Sequence, residues 1–180
     1  MMITSEAAEE QAVLEAAYAL CAAARTAPKA CGIDHLDTAI LTGEDKTRLT
    51  DEMRRMGAAQ GADGRVIIRD AGCVDACGAV VLVGAKYLTR GLSERCTLCG
   101  FANCESCQGA GATCVFTPMD LGIALGSAVA LAADLRIDSR IMFTIGKAAA
   151  ALGLLGEHKL IMGVPLSVTG KSPFFDRDQA

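Results

Sequence analysis

Tryptophan is absent from the chain, and only two tyrosines and five phenylalanines occur among its 180 residues. Aromatic side chains make up 4% of a sequence that is 52% hydrophobic, so a core has to be built from Ala, Val, Ile and Leu. Excess positive charge is also missing: 17 Lys and Arg face 21 Asp and Glu. Without a phosphate-neutralising surface or stacking rings, the chain does not suit nucleic acid. Long hydrophobic runs are lacking too. The best uncharged stretch, residues 121–133, lies between Asp120 and Asp134. As a helix it reaches about 20 Å, short of the roughly 30 Å hydrocarbon layer, so no membrane span is expected. The opening MMITSEAAEE is acidic and has no positive n-region. It does not read as a signal peptide, and a cytoplasmic location is expected. With no repeat and no long linker, residues 1–180 read as a single domain.

Cysteine, by contrast, is plentiful. Nine occur, at positions 21, 31, 73, 77, 96, 99, 104, 107 and 114. An odd number, in a chain with no secretion signal, argues against a disulfide scaffold. Five of the nine fall between 96 and 114, a clustering that a metal explains and chance does not.

Around this cluster the chain predicts ordinary elements. Val13, Ala16, Ala17, Leu20 and Ala24 recur at helical spacing over 5–25, and Pro28 ends that helix. Residues 36–42 read as a strand and 43–57 as a helix, followed by a loop at Gly57, Gly61 and Gly64 and an ambiguous element at 65–70. The β-branched run 79–85 reads as a buried strand. Thr117 is placed as the N-cap of the next helix, with Pro118 at its first position and Asp120 returning a capping bond. Leu121, Leu125, Ala128, Leu131 and Leu135 form its apolar face, and Gly122, Gly126 and Ala130 a narrow packing strip. Asp138 is expected to cap a helix over 139–152, and Pro165 to stop a strand over 159–165. A tail over 166–180 follows. Helices flanking a few strands predict an α/β or α+β domain, with a cysteine-rich loop over 91–116 inserted in it.

The spacing Cys96-x2-Cys99-x4-Cys104-x2-Cys107-x6-Cys114 admits three readings, because thiolates select iron–sulfur clusters, zinc or copper(I). A [4Fe-4S] cluster takes one thiolate per iron from Cys96, Cys99, Cys104 and Cys114, with Cys107 as the alternative fourth ligand. Structural zinc takes Cys96, Cys99, Cys104 and Cys107, although ribbons and fingers normally set their two pairs a dozen or more residues apart. A plant-type [2Fe-2S] site matches Cys99-x4-Cys104-x2-Cys107 locally but wants a distant fourth cysteine. The first reading is preferred. The string CTLCGFANC is similar to the C-x2-C-G-[FY]-x2-C stretch of the small iron–sulfur domain of electron-transfer and corrinoid iron–sulfur proteins.

Other signals are weaker. Cys73 and Cys77 read as packing residues, Cys21 as core and Cys31 as a loop thiol without an assignable role. His35 and His158 are isolated and read as surface or capping residues. Gly163, Gly170, Lys171 and Ser172 do not make a phosphate loop, because six residues separate the two glycines and Pro173 blocks the helix that should follow.

RGLSERCTLCGFANC, DLGIALGSAVALAADLRIDSRIMFTIGKAAAALGLL and GVPLSVTGKSPFFDR, with AARTAPKACGIDHLDTAILTGED near the N-terminus, resemble a bacterial and archaeal family of uncharacterised proteins containing a ferredoxin domain. The resemblance implies iron–sulfur ligation by Cys96, Cys99, Cys104 and Cys114. The body is also similar to nitroreductase-like flavin enzymes, through ARTAPKACGID, DLGIALGSAVALAADL and a late strand ending in G-x-P. That similarity implies helices around a small sheet, FMN and a homodimer. Arg25 and Lys171 are the candidates for the FMN phosphate. Together the two resemblances imply ferredoxin-like electron transfer, through one cluster, to a redox partner protein, a small acceptor or a flavin in the same protein. The alternative is a non-catalytic protein with structural zinc at the same cysteines.

Overall fold

The computed structural model describes residues 1–175. Helix α1 (Ser5–Thr26) is capped by the Thr4 hydroxyl, which accepts from the Ala7 N–H, and it buries the predicted stripe from Val13 to Ala24. Strand β1 (Leu36–Leu41), helix α2 (Gly43–Ala59), helix α3 (Arg65–Asp75) and strand β2 (Ala79–Ala85) follow. The ambiguous segment 65–70 is the first part of α3. Its helical period becomes visible only when Ile67, Ala71 and Val74, all buried, are read together. Beyond the cysteine loop come helix α4 (Cys104–Gly109), helix α5 (Phe116–Asp134), the short strand β3 (Asp138–Ser139), helix α6 (Phe143–Ala151) and strand β4 (Leu160–Ser167).

The strands form one antiparallel sheet in the order β1-β2-β4-β3. Every residue of β2 is buried, because helices cover both faces. Ala79, Val81, Val83 and Ala85 join α1 and α5 in one core. Val80 and Leu82 turn to the other side, into a core with α2, α3, α6 and Phe174. The supposed tail therefore contributes a buried aromatic residue. The rest of that predicted tail, residues 176–180, lies outside the described residues.

Several boundaries differ from expectation. Strand β4 runs through Pro165, which pairs with Val80. Leu166 O accepts from Gly78 N–H on the β2 side, so the neighbouring Pro165 nitrogen faces away from β2. There it lies between the Met142–Gly163 bridge and the Ser139–Leu166 pair, where the missing N–H breaks no ladder bond. Asp138 lies in β3 instead of capping a helix, and α6 starts at Phe143, so Ile141 is exposed. Helix α2 runs on to Ala59, two residues past the expected end at Gly57.

Helix α5 begins one residue before Thr117 and has no side-chain cap. The Thr117 hydroxyl donates instead to Leu88 O, and Asp120 binds groups outside its own helix. At 19 residues, α5 is long and apolar enough by length and composition to cross a membrane, which the run bounded by Asp120 did not suggest. Its Leu121, Ala124, Leu125, Ala128 and Ala132 are buried against α1 and the sheet. Gly122, Gly126 and Ala130 are exposed, and a Cβ added at either glycine meets nothing within 4 Å. The strip does not pack against this chain, contrary to a packing role within it.

Candidate functional site

The cysteine loop leaves the end of β2 and returns at the start of α5. Its path needs repeated left-handed turns. Gly91 (φ 67°), Gly100 (φ 83°) and Gly111 (φ 66°) supply three without cost, but Ser93 (φ 51°) and Thr97 (φ 48°) adopt the same region with a Cβ. Backbone strain of this kind persists where surrounding structure enforces it and concentrates at functional sites. The turn from Thr97 to Gly100, closed by a 2.9 Å bond from Gly100 N–H to Thr97 O, directly follows Cys96 and contains Cys99. Asn103 Oδ1 accepts from Ser106 N–H at 2.8 Å and starts α4, which carries Cys104 and Cys107 on one turn.

All five cysteines, 96, 99, 104, 107 and 114, line one narrow pocket with Phe101, Val115 and Phe116. Ser93 N–H donates to Cys104 Sγ at 3.3 Å. The Cys107 side chain is fully buried; its thiol donates to Ala112 O at 3.7 Å and lies within hydrogen-bonding reach of the free Cys99 thiol. Burial first, then the hydrogen bond with Cys99 and the nearby Cys99, Cys114 and Cys104 thiols, raise the Cys107 pKa. Thiols thus converge from three pieces of backbone onto an apolar-walled pocket that also offers an N–H donor to sulfur. Among the described residues, no three His, Cys, Asp or Glu side chains are gathered tightly enough to hold a single metal ion. The five thiols share one pocket without closing on one point.

Arg90 lines the same pocket and is buried. Its Nη1 donates to Leu88 O at 2.6 Å, and its Nη2 to Asp120 Oδ2 at 2.9 Å and to His35 Nε2 at 2.8 Å. Accepting from Arg90 requires a free lone pair on Nε2. Arg90 Nη2 also lies 3.2 Å from Nδ1, so the His35 proton is placed on Nδ1 by Ile33 O, which can only accept and lies 3.1 Å away. Asp120 Oδ1 accepts from Ala30 N–H at 3.0 Å. The network therefore ties the cysteine loop, α5 and the segment after α1 together. It was missed in the sequence because Arg90 lies 55 residues from His35 and 30 from Asp120. Both histidines are buried, not at the surface.

Other singled-out residues lie elsewhere. Arg25 pairs with Asp34 at 2.6 Å and with Leu36 O, and both charged side chains are exposed. Lys171 sits in the turn closed by Thr169 Oγ1 and Lys171 O. Neither lines the cysteine pocket or the cavity of about 350 Å³ beside it, which Ile33, Tyr87, Thr89, Gln108, Cys114 and Lys159 help to form. Cys73 and Cys77 are buried in the second core, as packing residues should be. Cys31 is exposed and adopts φ 57° next to Gly32.

The fold resembles solved nitroreductases. CinD from Lactococcus lactis, in complex with nicotinic acid, matches with a TM-score of 0.57 and 20% identity over 91% of this chain and 80% of that one. A nitroreductase with bound FMN from Bacteroides fragilis matches with a TM-score of 0.58 and 14% identity over 94% and 80%. One from Desulfitobacterium hafniense, also with bound FMN, gives 0.56 and 17% over 95% and 81%. The architecture is thus nitroreductase-like, with the cysteine loop between β2 and α5. An uncharacterised protein from Archaeoglobus fulgidus is 40% identical over 98% of both chains. Residues 110–177, from just before Cys114 through β4, match the family described as "uncharacterized protein containing a ferredoxin domain" (DUF2148). With that family pattern in its second half and a full-length relative at 40% identity, the chain belongs to this ferredoxin-domain family.

Proposed function

We propose that the cysteine loop holds one [4Fe-4S] cluster and passes single electrons, as a ferredoxin-like carrier or as the entry to a flavin in the same protein. The observation that carries this reading is the convergence of five thiols from one loop on one pocket. Cys96, Cys99, Cys104 and Cys114 each give one thiolate to one iron. Cys114 also borders the neighbouring 350 Å³ cavity, which supports that cavity as the proposed place for an acceptor or an FMN isoalloxazine. A bound cluster supplies one-electron chemistry; the chain supplies thiolates, apolar walls and the Ser93 N–H donor to Cys104. For an FMN phosphate, Arg25 contacts Leu36 O at the Ala85 end of β2 and Lys171 follows β4 at the Ala79 end, so the two candidates would have to come from different copies of the chain to share one phosphate. A second copy of the chain is the proposed partner of α5, covering exposed Met119, Gly122, Ile123 and Gly126.

Replacement of single cysteines tests the ligand set. Cys96→Ala, Cys99→Ala, Cys104→Ala and Cys114→Ala are expected to abolish iron and sulfide retention, and Cys107→Ala and Cys31→Ala to leave it. Retention in Cys114→Ala with loss in Cys107→Ala moves the fourth ligand to Cys107. Colourless protein with one zinc per chain replaces the cluster with a structural metal.

A further inference from the structure

We propose that Arg90 is the buried cation that raises the reduction potential of the cluster in the cysteine pocket, its Nε–H being the donor left for a cluster sulfur. The inference rests on the iron–sulfur reading above. Arg90 is 4% exposed and lines the pocket that holds the five thiols. Leu88 O, Asp120 and His35 engage its two terminal nitrogens. Its Nε is buried and has no acceptor. A buried N–H without an acceptor is costly, so an orphan on a fixed guanidinium points to a partner supplied from outside the chain. Thiolate and sulfide sulfurs bear the negative charge of an iron–sulfur cluster and accept such bonds.

The sign of the effect follows from charge. Reduction by one electron from dithionite adds negative charge to the cluster and breaks no protein bond. A cation fixed in a low-dielectric pocket stabilises the reduced form more than the oxidised one. Asp120 does not line the pocket but neutralises part of the Arg90 charge from behind. The two residues therefore act in opposite directions, Arg90 raising the potential and Asp120 lowering it.

The test is an anaerobic dithionite titration followed by electron paramagnetic resonance, on wild type, Arg90→Gln, Arg90→Lys and Asp120→Asn, each first assayed for iron and sulfide. Arg90→Gln is expected to load fully. At the wild-type midpoint its oxidised-to-reduced ratio should rise at least tenfold, a fall of about 59 mV for a one-electron couple. Arg90→Lys should recover part of the fall, and Asp120→Asn should shift the midpoint upward. An unchanged midpoint in loaded Arg90→Gln overturns the proposal, as does a downward shift in Asp120→Asn. If Arg90→Gln fails to fold, Asp120→Asn decides alone. Wild-type protein that binds no cluster overturns the cluster reading, and this proposal with it; a wild type that loads and titrates while the variants do not differ overturns only the role of Arg90.

Discussion

Arg90 Nη2 and Asp120 Oδ2 lie 2.9 Å apart with their side chains 1% and 3% exposed, and the pair fastens the cysteine loop to α5. Removing one partner of a buried pair leaves an uncompensated charge and costs about 3–5 kcal/mol. Asp120→Ala is therefore expected to lose about that much in urea unfolding. Asp120→Asn should lose less, because its amide oxygen still accepts from Arg90 or Ala30. Equal stability of Asp120→Ala and wild type contradicts the pair's role in the fold.

Two glycines on different helices should respond in opposite ways. A Cβ at Gly146 would sit 1.7 Å from Ile161 O, where α6 meets β4. Gly146→Ala is expected to cost about 1–3 kcal/mol or more through overpacking. A Cβ at Gly122 meets open space, so in the monomer Gly122→Ala should gain about 0.5–1 kcal/mol from helix propensity. Thermal unfolding of both variants checks the contrast.

The cysteines outside the loop separate by reactivity. Burial pushes the Cys77 thiol up to about 11. At pH 8 only about 0.1% of it is thiolate, and alkylation with iodoacetamide should spare it while exposed Cys31 reacts. Above the ordinary thiol range, the unfolded chain releases the Cys77 proton before the folded chain does. Stability contributed by the neutral thiol is therefore present below about pH 9 and lost toward pH 11, by up to about 3 kcal/mol. Peptide mapping of the alkylated native protein, with Cys77 modified as fast as Cys31, would contradict this.

Much of this architecture was legible in the residues. The stripe from Val13 to Ala24 and the run at 79–85 carried their elements because their periods match one helix face and one fully buried strand. The cysteine spacing marked the loop by itself. What escaped were features set by tertiary partners. Thr117 and Asp120 carry the local signature of a helix cap, yet Leu88 O and Arg90 outcompete the helix end for them. Pro165 reads as a strand breaker unless the open side of β4 is known. Residues 65–70 are too short to reveal a helical period that extends to Val74. No local pattern announces Arg90, because its charge is explained only by residues brought to it from distant parts of the chain.

The exposed strip of α5 predicts a homodimer. Sedimentation velocity should show a dimer, and Gly126→Glu, which places a charge on the strip, should shift it toward monomer. A wild-type monomer at micromolar concentration removes the second copy from the account.

The most direct measurement is the iron and acid-labile sulfide content of anaerobically purified wild-type protein, read with the electron paramagnetic resonance of the dithionite-reduced sample. The account predicts about four irons and four sulfides per chain, given one thiolate per iron, and a paramagnetic signal that appears on reduction. Protein that after reconstitution holds neither iron nor labile sulfide and stays silent on reduction contradicts it.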